Sequence, residues 1–268
     1  MYGNNIKCKN LVLGENVIIE ETAIIRGLNG PSENVYIGDN TYIGHNVQII
    51  CDNFKIGDYC KVHHDTNIHG YKPCSIGHNA WIGQFCIIDS IGGTTIGNNC
   101  GIGASSQLWS HIKYGDTLEG CRFLSESPLK IGNDVWFIGH CIISPITAED
   151  KSMALVGSVV TKNMKKNHIY AGSPARDITS KIGNQFEVPT VSEKIYKMER
   201  HLEQFENLIG TKEHDITIVE TKQQFVDNKS CFSVSDRTYN KRMTKFEQQF
   251  MKFLLPEKAK FIPCFVEK

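Results

Sequence analysis

The sequence lacks both a long apolar stretch and a net charge. No run approaches the roughly 20 apolar residues that a membrane-spanning helix needs, and the opening residues, MYGNNIKCKN, do not have the features of a signal peptide. Lys and Arg number 29, as do Asp and Glu, so the formal net charge is zero. We therefore expect a cytoplasmic protein with no membrane span, and the composition does not indicate nucleic acid as a partner.

The chain has ten cysteines but no Cys-x-x-Cys pair, which argues against a zinc site built from cysteines. Disulfides are not expected either. Cys60 and Cys100 share a column of the repeat described below, with Ala80 between them, so they stand two coils or about 9.6 Å apart. A disulfide requires Cα atoms within about 7 Å. We interpret these cysteines as small buried residues in a reducing compartment.

A hexapeptide repeat, Ile-Gly-x-x-small-x, occupies the first two-thirds of the chain. Three hexads make a coil of about 18 residues, lengthened here by one or two. Such a period predicts a parallel β-helix in which each coil buries its apolar residues against the next. The aliphatic residues form three columns: Ile37, Ile56, Ile76 and Ile96; Ile43, Val62, Ile82 and Ile102; Ile49, Ile68, Ile88 and Leu108.

Three segments later in the chain carry a family resemblance. After His111 the sequence reads PLKIGNDVW from Pro128, then GSVVTKN from Gly157, then AGSPAR from Ala171. In this order and spacing the segments resemble the galactoside and maltose acetyltransferases and the bacterial sugar O- and N-acetyltransferases, which are hexapeptide-repeat acyltransferases. The resemblance implies an all-β left-handed parallel β-helix, a homotrimer, and acyl-CoA (acetyl-CoA) as co-substrate with no metal.

The same resemblance implies a catalytic base at His111. An imidazole, with a reference pKa of about 6.5, can accept the proton of a sugar hydroxyl or amine near neutrality. One departure is Ile112, where the family usually has proline. The resemblance places the coenzyme A contacts at Trp136, Gly157, Ser158, Thr161, Lys162 and Arg176.

Two acidic residues are candidate substrate contacts. Asp89 is expected to point outward beside Ser90 and to bind sugar hydroxyls, and Glu119 lies in the long loop that follows His111. The alternatives are that Asp89 is a solvated corner and that His111 merely pairs with Asp116 or Glu119.

A second histidine cluster leaves two other interpretations open. His64-Asp65 resembles a segment of sugar N-acetyltransferases in which a carboxylate orients the base, so His64 with Asp65 is an alternative base. His64 and His69 also have the spacing of two zinc ligands in the γ-class carbonic anhydrases, with His45 as a possible third. A non-catalytic scaffold on the same fold is a further alternative.

The repeat and its loss predict two domains. We expect a β-helix over residues 1–184, regular from about Leu13 to Leu108, with a turn at 27–31, a protruding loop at 109–130 and a register slip between 137 and 147. Residues 185–268 are expected to form a small α+β domain. Its predicted helices are 191–209 and 244–255, and its predicted strands lie near HDITIVE and SCFSVS.

The function predicted from the sequence is acyl transfer, in particular acetyl transfer, from acyl-CoA to a hydroxyl or amino group of a sugar or nucleotide-sugar. We expect a role in surface polysaccharide biosynthesis. The zinc hydratase and the scaffold are the alternatives to this prediction.

Overall fold

A computed structural model describes residues 5–264 of the chain. The chain forms two compact units, with the boundary between Phe186 and Glu187. Within residues 5–264, no helix is both long enough and apolar enough to cross a bilayer.

The first unit is built from three parallel sheets, which we call face 1, face 2 and face 3. Successive strands of the chain visit the three faces in turn, and each strand pairs in parallel with its counterpart one coil earlier. Face 1 comprises Cys8–Leu13, Ser32–Ile37, Asn53–Ile56, Cys74–Ile76, Thr94–Ile96, Leu129–Ile131 and Thr147–Ala148. Face 2 comprises Ile18–Ile19, Tyr42–Ile43, Lys61–Val62, Trp81–Ile82, Gly101–Ile102, Trp136–Phe137, Met153–Ala154 and Ile169–Gly172, with Ala175–Asp177 added antiparallel at its end. Face 3 comprises Ile24–Arg26, Gln48–Cys51, Asn67–Gly70, Ile87–Asp89, Gln107–Leu108, Ile142–Ile143 and Val159–Val160.

The interior of this prism contains the columns that the repeat predicts. All twelve first-place aliphatic residues are buried, and so are the small residues four positions after those of the first two columns. The hydroxyl groups of the threonines among them form hydrogen bonds to the next coil. Thr41 Oγ1 donates to the Gly57 carbonyl (2.8 Å), and Thr66 Oγ1 donates to the Gly83 carbonyl (2.9 Å). The ten cysteines are all free thiols, as expected, and burial raises the pKa of Cys60 to about 12.

Two of the three corners have a constant length. Ile76 lies on face 1 and Ile82 on face 2, and six positions separate Ile76 from Ile82 and Ile82 from Ile88 on face 3. The same spacing holds in each complete coil between positions 37 and 160. The hexapeptide period therefore describes the corners between faces 1 and 2 and between faces 2 and 3.

The corner from face 3 to the next coil (corner 3–1) takes up all the variation in length. From Leu108 to Ile131 it spans 23 positions, whereas from Ile143 to Ala148 it spans five. The register slip predicted between 137 and 147 is this one short corner, since the period of six is intact up to Ile143. The long loop is the same corner lengthened.

A ladder of side chains fixes corner 1–2. In the five coils with donors from Asp39 to Asn133, the backbone N–H of the third hexad residue donates to the side chain of its counterpart one coil later, over 2.7–3.0 Å. The following residue adopts a left-handed conformation, with φ between 55° and 62° in the four coils from Asn40 to Asn99. Asn and Asp suit both positions because their short side chains accept backbone hydrogen bonds and tolerate positive φ. The ladder residues are Asp39, Asp58, His78, Asn98, Asn133 and Asp150.

The first unit ends in a short helix, α1 (Thr179–Ile182). The second unit contains helix α2 (Val191–Ile209), helix α3 (Lys245–Leu254) and a 3-10 turn at Lys222–Gln224. Its sheet comprises Ile216–Val219, Ser230–Ser233, Thr238–Asn240 and Ile262–Cys264 in that order. Fully buried aromatic rings, among them Phe205, Phe232 and Phe250, form the core between the helices and the sheet.

The fold class is confirmed: a left-handed parallel β-helix and a small α+β unit. Helix α2 has the predicted bounds, and Thr190 begins it with a capping box to Glu193. One boundary differs from the prediction. The first β-helix strand begins at Cys8 rather than near Leu13, because it pairs with Ser32–Ile37 although it lacks the hexapeptide pattern.

Candidate active site

The candidate site lies at the longest corner 3–1, where the chain leaves face 3. Asp89 is the last residue of strand Ile87–Asp89, and Ser110 and His111 follow strand Gln107–Leu108 of the next coil. These strands are paired neighbours, so the stacking of coils brings together residues that are 22 positions apart. Close packing holds the corner: a Cβ on Gly92 would lie 2.0 Å from the Ser110 carbonyl oxygen.

A buried carboxylate holds the His111 imidazole. His111 Nδ1 lies 2.8 Å from Asp89 Oδ2, and the same oxygen accepts from the Ser110 N–H (2.8 Å) and the Ser110 hydroxyl (2.6 Å). The Asp89 side chain is 0% exposed, while the His111 side chain is 19% exposed. A carboxylate without solvent must be paired and hydrogen-bonded, and these contacts provide the partners.

The expected position of Asp89 is wrong. It is neither an outward-facing residue that binds a sugar nor a solvated corner, because its side chain is fully buried and its Oδ2 is occupied. It instead orients the predicted base. The burial follows from its place in the strand: Asp89 comes directly after the inward Ile88, where the chain begins to turn around the corner.

The hydrogen bond to Asp89 defines what His111 can do. A carboxylate only accepts, so the neutral imidazole carries its proton on Nδ1 and a lone pair on Nε2. This is the state that a general base requires. The Trp109 ring meets the imidazole edge-on, with ring centroids 6.1 Å apart, and further restricts its orientation.

A second histidine contacts the same carboxylate from the other side. His69, one coil before Asp89 on face 3, has its Nε2 3.6 Å from Asp89 Oδ1, and its Nδ1 lies 2.7 Å from Asn67 Oδ1. Asp89 therefore lies between two imidazoles.

The loop that follows His111 is a protruding arm with a closed base. Ile112 and Ser125 exchange two backbone hydrogen bonds of 2.8 Å. Glu126 forms an ion pair with Lys113 and lies 3.9 Å from Lys72, and its pKa is lowered chiefly by its bond to Lys113. The arm thus leaves the prism next to His111, and the Glu126–Lys72 ion pair connects the arm to the prism.

The arm does not supply the partner of His111. Glu119 and Asp116 are both exposed in the arm, where Asp116 Oδ1 accepts from the Leu118 N–H (2.8 Å). The pairing of His111 with one of them, which the sequence left open, is replaced by the contact with Asp89. Glu119 as a substrate contact stays a prediction.

The alternative base, His64, has a different environment. His64 Nδ1 lies 2.7 Å from Asp65 Oδ2, and Asn46 Nδ2 donates to Asp65 Oδ1 (3.0 Å). The bonds from His64 and Asn46 lower the pKa of Asp65. This pair stands at corner 2–3, where His64 is 48% exposed, so water competes for both partners.

The three histidines considered for zinc do not converge. His69 lies on face 3, in strand Asn67–Gly70, where it contacts Asn67, whereas His64 and His45 stand at corner 2–3. Within the described range, 5–264, no group of three or more His, Cys, Asp or Glu side chains is placed to hold a metal ion.

The residues predicted to contact coenzyme A are distributed over the last coils. Trp136 stands half-exposed on the outer side of face 2, and its indole lies over Gly101, where a Cβ would come within 2.9 Å of Trp136 Cδ1. Thr161 and Lys162 are exposed at corner 3–1, the same corner as His111 but two coils later. Arg176 is exposed on the final antiparallel strand of face 2.

The backbone N–H groups of Gly157 and Ser158 are bonded within the β-helix, and these residues stay predicted coenzyme A contacts. The Gly157 N–H donates to the Gly139 carbonyl (2.9 Å) and the Ser158 N–H donates to the Leu155 carbonyl (3.2 Å), so both donors serve the coil itself. The Ser158 hydroxyl also donates to the Leu155 carbonyl (2.6 Å). A ligand amide at this corner would have to meet a carbonyl oxygen.

Sequence reasoning missed Ser110, Asn67 and the contact of His69 with Asp89. A signal was present, because His69 and Asp89 are one coil apart and fall in the same column as Trp109. Reading that column would have placed them together. The burial of the Asp89 side chain cannot be read from the sequence in this way, since the last position that the repeat marks as inward is Ile88.

No family model matches the chain. Over 52 residues it is 44% identical to the galactoside O-acetyltransferase of Escherichia coli (strain K12), a match that covers 19% of this chain and 26% of that enzyme. The chain thus spans about a quarter of the length of this curated relative.

Solved structures with a similar architecture have low identity. A hexapeptide-repeat acetyltransferase from Vibrio cholerae O1 biovar eltor, complexed with acetyl coenzyme A, is 20% identical over 53% of this chain and 69% of its own, with a TM-score of 0.38. A mutant of AntD, an N-acyltransferase from Bacillus cereus in complex with dTDP and coenzyme A, is 19% identical over 73% of this chain and 92% of its own, with a TM-score of 0.42. The predicted resemblance is confirmed: this chain is similar to the hexapeptide-repeat acetyltransferases.

Proposed function

We propose that this protein is an acyl-CoA-dependent acyltransferase that transfers an acyl group, in particular acetyl, to a hydroxyl or amino group of a sugar or nucleotide-sugar. The observation that carries the proposal is the His111–Asp89 pair: a partly exposed imidazole whose Nδ1 is bound to a fully buried carboxylate. The similarity to the galactoside O-acetyltransferase supports the choice of reaction class.

The proposed reaction uses His111 first as a base and then as an acid. Nε2 takes the proton from the acceptor hydroxyl or amine as the acceptor oxygen or nitrogen bonds to the thioester carbonyl carbon. When the carbon–sulfur bond breaks, the thiolate takes that proton from the imidazolium, and the products are a free thiol and an acylated sugar. Asp89 lies 2.8 Å from Nδ1 and stabilises the imidazolium between these two steps.

The coenzyme A contacts are proposed at Trp136, Gly157, Ser158, Thr161, Lys162 and Arg176. Lys162 and Arg176 are exposed cations, and Arg and Lys are the side chains that bind phosphate oxygens. Because these residues lie on different faces of the last coils, the proposal includes a homotrimer in which neighbouring prisms together form the cleft. We also propose that the protein acts in the cytoplasm, in surface polysaccharide biosynthesis.

A thiol-release screen tests the function and the choice of base together. Purified protein is incubated with acetyl-CoA and a panel of sugars, amino sugars and nucleotide-sugars, alongside the variants His111→Ala and His64→Ala. We expect acceptor-dependent thiol release that falls by about 10²- to 10⁴-fold in His111→Ala and by less than about threefold in His64→Ala. If only His64→Ala loses activity, the base is at the exposed corner, and if neither protein nor variants release thiol, the scaffold interpretation is favoured.

A further inference from the structure

We propose that His69 is a positioning residue for His111 and that it acts through Asp89. The inference rests on the proposed function, since it assigns His69 a part in the same site. The three side chains form a line across three successive coils, with His69 in the first, Asp89 in the second and His111 in the third. Asn67 extends the line by one residue.

The contacts divide the carboxylate between the two histidines. Oδ2 of Asp89 is occupied by His111 and Ser110, whereas Oδ1 accepts from the Ile91 N–H at 3.3 Å and faces His69 Nε2 at 3.6 Å. A carboxylate rotates about a single torsion, so a group that holds Oδ1 also fixes where Oδ2 points. His69 thereby contributes to the direction of the His111 imidazole.

Asn67 sets the orientation of His69. Asn67 Oδ1 can only accept a hydrogen bond, so His69 Nδ1, 2.7 Å away, is the donor and carries a proton. Nε2 attracts Asp89 only when it also carries a proton. Nε2 faces the carboxylate, so the contact aligns His69 with Asp89 across the two coils.

The charged and titratable groups around this line come from the arm and from the neighbouring coils. Glu126, with Lys113 and Lys72 bound to it, faces His111 from the arm. Behind Asp89 are the buried thiols of Cys51 and Cys74, whose pKa values are raised by burial. Asp89 is thus the acidic group between the two imidazoles, and a change at His69 reaches His111 through it.

The test compares His69→Leu, which removes the contact, with His69→Gln, which keeps an N–H donor. The full-length protein is used, with acetyl-CoA and the best acceptor from the screen. We expect kcat in His69→Leu to fall about 10- to 100-fold with KM for both substrates within about threefold, and His69→Gln to recover most of the loss. His168→Gln is the matched control, since that histidine also pairs with an aspartate, Asp177, but next to strand Ile169–Gly172.

A second readout does not depend on activity. The ¹⁵N resonances of the His111 ring report which nitrogen carries the proton, and they are followed from pH 5 to pH 8 in each variant. We expect the His111 proton on Nδ1 in the wild type and in His168→Gln, and a weaker preference for Nδ1 in His69→Leu. A protein without acyltransferase activity would contradict the proposed function while this spectrum still decides whether His69 acts on His111.

Two results would overturn the proposal. One is an unchanged His111 spectrum together with an unchanged kcat in His69→Leu. The other is a raised KM with kcat intact, which would make His69 a substrate contact rather than a positioning residue.

Discussion

At the scale of the residue, the candidate site depends on one buried carboxylate. Asp89 makes three short contacts through Oδ2. The His111 imidazole that it holds is partly exposed, whereas the Asp89 side chain is fully buried. The pair His64–Asp65 has a similar distance but lies in solvent. Distance alone does not separate the two pairs, whereas burial does, because the interaction of a carboxylate with an imidazolium is stronger where water is excluded.

We predict that Asp89→Asn lowers kcat by about 10²- to 10⁴-fold. The amide keeps the shape of the side chain but has no negative charge to stabilise the imidazolium, and its NH₂ group can turn toward His111 and favour the wrong tautomer. The measurement is steady-state thiol release, with circular dichroism to show that the coils are intact. Asp65→Asn is the control and should retain activity within about threefold. Equal losses in both variants would contradict the assignment to Asp89.

At the scale of the element, each corner of the coil has a different task. Corners 1–2 and 2–3 repeat every six residues, whereas corner 3–1 varies in length and carries both the arm and His111. Corner 1–2 is held by a ladder of side chains that runs from coil to coil. His78 is the one member of the corner 1–2 ladder from Asp39 to Asp150 that is not Asn or Asp, and its Nδ1 accepts from the Asp58 N–H at 3.0 Å.

We predict that His78→Leu lowers the free energy of unfolding by about 1–3 kcal/mol, because the partly buried Asp58 N–H loses its acceptor. His78→Asn should stay within about 0.5 kcal/mol of the wild type, since Asn at position 98 already makes the equivalent bond to the His78 N–H over 2.8 Å. Chemical denaturation of the two variants side by side is the measurement. A His78→Asn variant as unstable as His78→Leu would show that the ladder is not what holds this corner.

The sequence predicts the elements that repeat and misses those that occur once. The columns from Ile37 to Leu108 were predicted because an inward aliphatic residue every six positions is a physical requirement of stacked coils. The first strand, Cys8–Leu13, was missed because it obtains its order from pairing with the next coil rather than from its own residues. His111 is predicted from its resemblance to a family motif, but its contact with Asp89 depends on a side-chain direction that no spacing records.

At the scale of the whole molecule, the arm presents exposed apolar side chains. No other part of the chain within residues 5–264 covers them. Leu118 is 91% exposed and Phe123 is 77% exposed, and Tyr114 is exposed as well. Burying a leucine or phenylalanine side chain contributes about 1.5–3 kcal/mol. In the trimer proposed above, several such side chains on each arm would be available for contacts between copies of the chain.

We predict that the protein is a trimer in solution, with a mass about three times the 30.2 kDa of the chain. The double substitution Leu118→Ser and Phe123→Ser should shift the mass measured by light scattering toward the monomer at micromolar concentration, because six apolar side chains would lose their partners. Val188→Ser is the control, since Val188 is equally exposed but belongs to the second unit. A monomeric wild type would contradict the proposed cleft between prisms. A trimer unaffected by the double substitution would show that the arm does not hold the subunits together.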